Sequence, residues 1–193
     1  GARLLRRWFD SKPVAVLVSS ATVLSDDPQL NVRLVKGRSP RRVILDANLR
    51  VPETAKVYSD NESANTIIVT TARTLEEKKE KRKELEAHGV TFLAANAPNN
   101  QFVLKDVFSS LGKLEITSIL VEPGPTLSTV LLQEKLFDEL VLFVAPILLG
   151  SDARPAFGDL HLKNFQQAHR LRFQKSSIVE GSDDFVLEYR NTI

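Results

Sequence analysis

A three-layer α/β domain with a central mixed sheet is the fold class this sequence predicts, on three observations. Short apolar runs recur along the first three-quarters of the chain, separated by segments of helical period. Several runs are apolar at nearly every position, as in strands covered on both faces. The tail then changes to period-two alternation, the mark of antiparallel strands.

In chain order, residues 3–10 read as the end of a helix with Leu4, Leu5 and Trp8 on one face, stopped by Pro13. Residues 14–18 are a continuous apolar strand, broken by the small polar residues Ser19, Ser20, Ala21 and Thr22. Ser25-Asp26-Asp27-Pro28 reads as a turn or a helix start. Residues 43–46 and 66–70 are further strands, the former closing on Asp46. Residues 74–88 form a charged helix ended by Gly89; its acids and bases interleave at i,i+4, as on a solvated face. A short strand over 90–93, a loop at Pro98-Asn99-Asn100 and a helix over 102–111 follow. A strand over 116–121, a helix over 126–135, a strand over 140–144 and a loop over 146–154 come next. Segments 171–173, 177–179 and 184–190 are the tail strands.

At 193 residues the chain fits one domain spanning 1–193, and 42% apolar residues suffice for a core. A formal net charge of +2 with no basic stripe gives no nucleic-acid partner. The absence of cysteine removes disulfides, thiol catalysis and cysteine-bound metals, and His88, His161 and His169 are too scattered for a metal site. No apolar run reaches membrane-spanning length and no signal peptide is visible, so no membrane partner and a cytoplasmic location are expected. A chain that begins at Gly1 and holds no methionine is expected to be a fragment.

The most informative stretch is Val121-Glu122-Pro123-Gly124-Pro125-Thr126-Leu127. A strand ends at a glycine that opens a helix. The free N–H groups of the first turn and the helix dipole then favour an anion such as a phosphate. Pro125 suits the first turn, where its missing N–H would have no partner. Glu122 stands at the carboxyl end of its strand, where α/β sheets hold ligands. A single glycine makes this neither G-x-G-x-x-G nor a P-loop, and an ordinary strand-to-helix turn reads the same way.

A second constellation follows the first apolar strand: Thr22, Asp26, Asp27 and Arg33 supply a hydroxyl, two carboxylates and a guanidinium within a dozen residues. Arginine binds phosphate in a bidentate way, and a carboxylate accepts from ribose hydroxyls. Asp27, beside Pro28, reads as a helix cap, and Arg33 reads as a ligand residue in preference to a surface ion pair.

Ala15-Val16-Leu17-Val18 followed by Ser19 to Arg33 resembles the reductase domain of the bifunctional riboflavin-biosynthesis deaminase/reductase. Arg42 to Asp46, Val121 to Leu127, Phe137 to Leu140 and Ala145 to Arg154 match that family in the same order. The resemblance implies a dihydrofolate-reductase-like fold, usually dimeric. It also implies an NADPH-dependent oxidoreductase that reduces 5-amino-6-(5-phosphoribosylamino)uracil to 5-amino-6-(5-phosphoribitylamino)uracil, with hydride delivered to the sugar C1′, in its ring-opened imine form. By position, Thr22 and Asp26 contact NADPH, and Gly124, Pro125, Thr126, Leu127, Ser128 and Thr129 hold its phosphates. Leu30, Arg33 and Glu122 contact the substrate, with Arg33 on its phosphate. No residue stands out as the proton donor.

The chain departs from the family at Pro123, which replaces a glycine. It departs also at Ala47, where the family places a serine that touches NADPH, and at Asp10, where it places a substrate-binding arginine that Arg6 or Arg7 would have to replace. The family's first strand and its zinc deaminase domain are absent, so a homodimer with a fused or separate deaminase partner is expected and no deaminase activity. The alternatives are a catalytically impaired reductase-like domain acting as a dimerisation or scaffold module, and a related enzyme with another substrate. A pterin would leave Arg33 without a phosphate.

Overall fold

Apolar β-branched runs that bury both faces build the first sheet. Strand β1 (Val14–Ser19) leads, with Ala15, Val16, Leu17 and Val18 all buried. Strands β2 (Arg41–Leu45), β3 (Thr66–Thr70), β4 (Thr91–Ala94) and β5 (Ser118–Val121) join it, all parallel, in the order β4-β3-β2-β1-β5. This is a computed structural model that describes residues 14–32 and 37–192. The helix expected over 3–10, with Arg6, Arg7 and Asp10, and the residue Arg33 lie outside the described residues. The chain divides into two compact units, Gly1–Pro123 and Gly124–Ile193.

In the first unit, parallel pairing requires crossovers. These carry helices α1 (Ser20–Asp26), α2 (Lys56–Ser59), α3 (Ala72–Glu77), α4 (Lys79–Ala87) and α5 (Leu104–Lys113). In α5, Leu104, Val107 and Leu111 recur at helical spacing and are the buried face. The strand order sets the function of the sheet. From β1 the chain steps outward through β2, β3 and β4, then returns to place β5 on the other flank of β1. The direction reverses between β1 and β5, which is where a parallel sheet opens a crevice at its carboxyl edge.

Three local readings are corrected. The helix after β1 starts at Ser20 rather than near Ser25, because Ser19 caps it: the Thr22 N–H lies 3.4 Å from Ser19 Oγ. The charged segment expected as one helix over 74–88 is two. Thr71 accepts from the Thr74 N–H at 3.1 Å and starts α3 two residues early. At Lys78 the backbone leaves the helical region (φ −117°, ψ 48°), and its ammonium donates to the carbonyls of Asn48 and Leu49 at 2.7 and 3.1 Å. Asp27 is a cap, but of a distant helix. Its carboxylate accepts the Lys56 N–H that opens α2 at 2.9 Å and pairs with Lys56 Nζ at 3.2 Å. The Lys56 backbone bond holds the Asp27 carboxyl below its ordinary value.

One charge cluster is built around a buried arginine whose acidic partners are partly exposed. Arg42 on β2 is fully buried and forks onto Asp60, with Nη1 to Oδ1 at 2.9 Å and Nη2 to Oδ2 at 2.6 Å. Nη1 also donates to the Val57 carbonyl at 3.0 Å. Glu62, 3.4 Å from Nη2, accepts from Ser39 Oγ at 2.8 Å. Position 42 lies just before the strand read from the sequence at 43–46; the fold places it in β2 and buries it.

The second unit contains helix α6 (Pro125–Gln133) and strands β6 (Glu139–Val144), β7 (Leu171–Ile178) and β8 (Phe185–Asn191). The strands are antiparallel in the order β6-β8-β7, so the mixed character expected of the sheet resolves into one parallel and one antiparallel set. The tail segments read as 171–173 and 177–179 are one strand. A bulge between Phe173 and Lys175 shifts the alternation and makes β7 look like two pieces. No described helix is long and apolar enough to cross a membrane.

Removing Asp60 strands the Arg42 guanidinium in the core. Asp60→Ala is expected to cost about 3 kcal/mol, read as a lowered midpoint in urea unfolding with unchanged slope. An unshifted midpoint would show that the cluster contributes nothing to stability.

Candidate functional site

The crevice predicted by strand order has a definite floor. Leu17 on β1 faces Val121 on β5, and the Glu122 N–H donates to the Leu17 carbonyl at 3.0 Å. Residues that follow β1 and β5 therefore emerge side by side at the carboxyl edge. From β5 comes Glu122. Its surface is solvent-accessible, yet the protein crowding around it removes enough hydration to raise its pKa above the ordinary glutamate value. The carboxylate thus reaches water from a surrounded position, an environment typical of functional acids.

From β1 comes α1. Thr22 and Asp26 are four residues apart on it and so share a face. Thr22 is half-buried, its hydroxyl 3.4 Å from Ser19 Oγ. Asp26 is exposed and accepts from Ser25 Oγ at 2.7 Å, leaving its second oxygen to solvent. Leu30 follows with a left-handed backbone, φ 50°, and packs against the core of the first unit. A left-handed leucine costs on the order of 1–2 kcal/mol, a strain that clusters at ligand sites. Arg33, the residue expected on a substrate phosphate, lies outside the described residues.

Asp46 and Ala47 continue β2 at the same edge. Asp46 is buried; Oδ2 accepts the Val51 N–H at 2.9 Å and Oδ1 has no partner among the described residues. Ala47 is buried and contributes only its carbonyl, which accepts from the hydroxyls of Thr70 at 3.1 Å and Thr74 at 2.7 Å. A small cavity of about 250 Å³ lies farther along, lined by Ala72, Ala94, Ala95, Asn96, Asp106 and Ser110. None of the expected site residues lines it.

The second unit, taken by itself, opens with the turn at Gly124. Gly124 is the N-cap of α6, extended at φ −78° and ψ 175°, with Pro125 at the first helical position. The helix geometry leaves the N–H groups of Thr126 and Leu127 without an intrahelical acceptor. The hydroxyls of Ser128 and Thr129 also bond within the unit. Ser128 Oγ lies 2.9 Å from the Pro125 carbonyl and 2.7 Å from that of Ala156. Thr129 Oγ1 donates to the Pro125 carbonyl at 2.6 Å and accepts the Gly158 N–H at 2.7 Å. These two hydroxyls fasten the segment around Ala156 and Gly158 to the helix.

Gly124 also permits a close approach that the sequence did not signal. A Cβ there would stand 3.2 Å from Arg154 Nη2, so the Arg154 guanidinium rests on the bare glycine at the positive end of α6. Backbone N–H groups and a guanidinium at a helix start are a donor set suited to phosphate oxygens, and the residues present fit the cofactor phosphates expected here. No group of three or more metal-ligating side chains forms among the described residues.

The sequence profile of the RibD C-terminal domain matches residues 9–187. The riboflavin biosynthesis protein RibD of Aquifex aeolicus is 35% identical over 190 residues, which cover 98% of this chain and 48% of that protein. A 5-amino-6-(5-phosphoribosylamino)uracil reductase of Buchnera aphidicola is 29% identical over 192 residues, 93% of this chain and 87% of that one. Among solved structures, RibD of Acinetobacter baumannii superposes with a TM-score of 0.79 at 31% identity, over 99% of this chain and 51% of that one. This agrees with the dihydrofolate-reductase-like fold class expected. The chain spans about half the length of the RibD proteins it matches. It belongs to the RibD C-terminal domain family, the family to which its five sequence blocks pointed.

Proposed function

We propose that this chain is an NADPH-dependent reductase of riboflavin biosynthesis, converting 5-amino-6-(5-phosphoribosylamino)uracil to its ribitylamino product. The observation that carries this reading is the position of Glu122 at the carboxyl end of β5, bonded through its N–H to the end of β1 where the strand order reverses. The nicotinamide cofactor supplies the hydride when bound. The protein's part is binding, orientation and electrostatics.

Glu122 accepts hydrogen bonds from the polar pyrimidine and opposes the positive charge that develops at C1′ of the imine. Thr22 and Asp26, on one face of α1, contact the cofactor. The N–H groups of Thr126 and Leu127, with Arg154, hold its phosphates; Gly124 leaves room for them and Pro125 sets the turn. Ser128 and Thr129 complete that phosphate-holding turn. Leu30 packs against the substrate and Arg33 takes its phosphate. Both units act together as a single reductase domain over 1–193. The length of the RibD relatives not covered by this chain is where a fused deaminase would lie; a separate deaminase would serve equally.

A homodimer is part of this reading. In the second unit Val144, Phe185 and Ile178 stand opposite one another across three strands and are 43%, 45% and 62% exposed. Phe173, 56% exposed, faces Tyr189 and continues the same side of the sheet. An exposed apolar face of this extent is unusual on a monomer. The relative from Buchnera leaves little length for another domain to cover such a face. A second copy, pairing the same face by two-fold symmetry, covers it economically.

Three outcomes test these statements. Purified protein should oxidise NADPH on addition of the ribosylamino-pyrimidine phosphate, and Glu122→Gln should lower kcat/KM roughly 10- to 100-fold, the loss of one charge-assisted hydrogen bond. NADPH binding without turnover would instead favour a scaffold module, and turnover of dihydrofolate a different substrate. The same variant has a pH signature. A carboxyl whose folded pKa is raised contributes stability that is complete below its unfolded pKa and is lost as pH rises through the folded value. Glu122→Gln should therefore exceed the parent in stability at neutral pH and lose that advantage in acid; a pH-independent difference would refute the desolvation. Finally, sedimentation should give a dimer that Ile178→Glu converts to monomer.

A further inference from the structure

We infer that Arg50 binds a phosphomonoester at the carboxyl edge of the parallel sheet and thereby sets phosphate specificity in the reductase site, an inference that rests on the reductase reading above. Arg50 lies in the loop that leaves β2, three residues beyond Ala47. Its neighbours Leu49 and Val51 are each 1% exposed, while Arg50 is exposed. The chain is therefore anchored in the core on both sides of a side chain that must point outward. The anchoring is reinforced by Asp46, whose carbonyl accepts the Leu49 N–H at 3.2 Å and whose carboxylate accepts the Val51 N–H at 2.9 Å.

The guanidinium does not swing freely. Nη2 donates to Ser20 Oγ at 2.9 Å, and Ser20 is the buried first residue of α1. Arg50 is thus pinned over the start of α1, where β1 ends and the helix bearing Thr22 and Asp26 begins. A guanidinium has five N–H donors in a planar fork, and the bond to Ser20 uses one. No carboxylate pairs with Arg50 among the described residues.

The other cations around this loop are spent on the fold. Lys78 donates to the carbonyls of Asn48 and Leu49, Lys81 to that of Val51 at 2.7 Å, and Lys56 pairs with Asp27. Arg50 alone among these four keeps an open fork at the edge where ligands of a parallel sheet bind. A preorganised fork matches the oxygens of a phosphate. Two ligands of this site would carry a phosphomonoester: the cofactor, as its 2′-phosphate, and the substrate, on its sugar.

The test compares parent, Arg50→Ala and Arg50→Lys in steady-state kinetics with NADPH, with NADH and with varied substrate, after a thermal scan confirms folding. If the fork holds the 2′-phosphate, Arg50→Ala should raise KM for NADPH roughly 10- to 100-fold and leave KM for NADH unchanged, with Arg50→Lys restoring only part of the loss. If it holds the substrate phosphate, the substrate KM should rise by a similar factor while NADPH and NADH are affected alike. Unchanged constants for all three ligands would overturn the inference. Titration with adenosine 2′-phosphate and with inorganic phosphate, followed by the NMR signal of the Arg50 Nε–H, separates this from failure of the reductase reading. A perturbed Arg50 signal in a protein with no turnover keeps the phosphate site and rejects the reductase. An unperturbed signal in an active enzyme whose kinetic constants are also unmoved by the substitution does the reverse.

Discussion

Strand β1 is the constraint on which the first unit depends. It is hydrogen-bonded on both edges, to β2 and to β5, and covered on both faces. A strand so placed must be apolar throughout, because any polar side chain would be buried without a partner. It must also stop abruptly, because the chain has to leave the sheet. Ser19 does this by capping the helix that follows, and its end marks the carboxyl edge at which Thr22, Asp26 and, from β5, Glu122 emerge. The reversal of chain direction at β1 therefore positions the candidate site before any side chain contributes.

Around that centre the loops are tied by a few long-range polar contacts. Asp27 links the end of α1 to the start of α2. Asp46 closes the turn after β2, and Lys78 reaches back to the same turn from the break between α3 and α4. Arg42 gathers Asp60 and the Val57 carbonyl inside the unit. All but the Asp46 contact join residues distant in sequence. Each also satisfies backbone groups that a buried turn would otherwise leave orphaned. These ties fix the loops beneath the candidate site to the sheet.

The electrostatics of the carboxyl edge separate into unlike parts. Crowding by the protein holds the Glu122 carboxyl above its ordinary value. Arg50 is pinned to a hydroxyl and keeps its charge available. Within the second unit, Arg154 lies on Gly124 at the positive end of α6. The hydroxyls of Ser128 and Thr129 bond within the same unit.

Much of this was legible in the sequence because the signal was local. Uniformly apolar runs declared parallel strands, and Gly124-Pro125 after a strand declared a helix start. The blocks ending at Arg33 and Arg154 declared the family. Where the sequence misled, the deciding partner was remote. The charged segment after Thr71 keeps one helical period throughout, yet it breaks at Lys78, whose ammonium bonds carbonyls some thirty residues back in sequence. The tail read as three strands because a bulge shifts its alternation. Arg42, Arg50 and Arg154 look alike in sequence, as arginines in or beside a strand or loop. Only the tertiary structure decided that the first is buried in an ion pair, the second pinned to Ser20 and the third seated on a glycine. The sequence by itself determined which segments would be strand and helix, and which family the chain joins, because propensity and pattern act between near neighbours. The fate of each charged side chain was left to the fold, since it depends on which distant oxygen the topology brings within hydrogen-bonding distance.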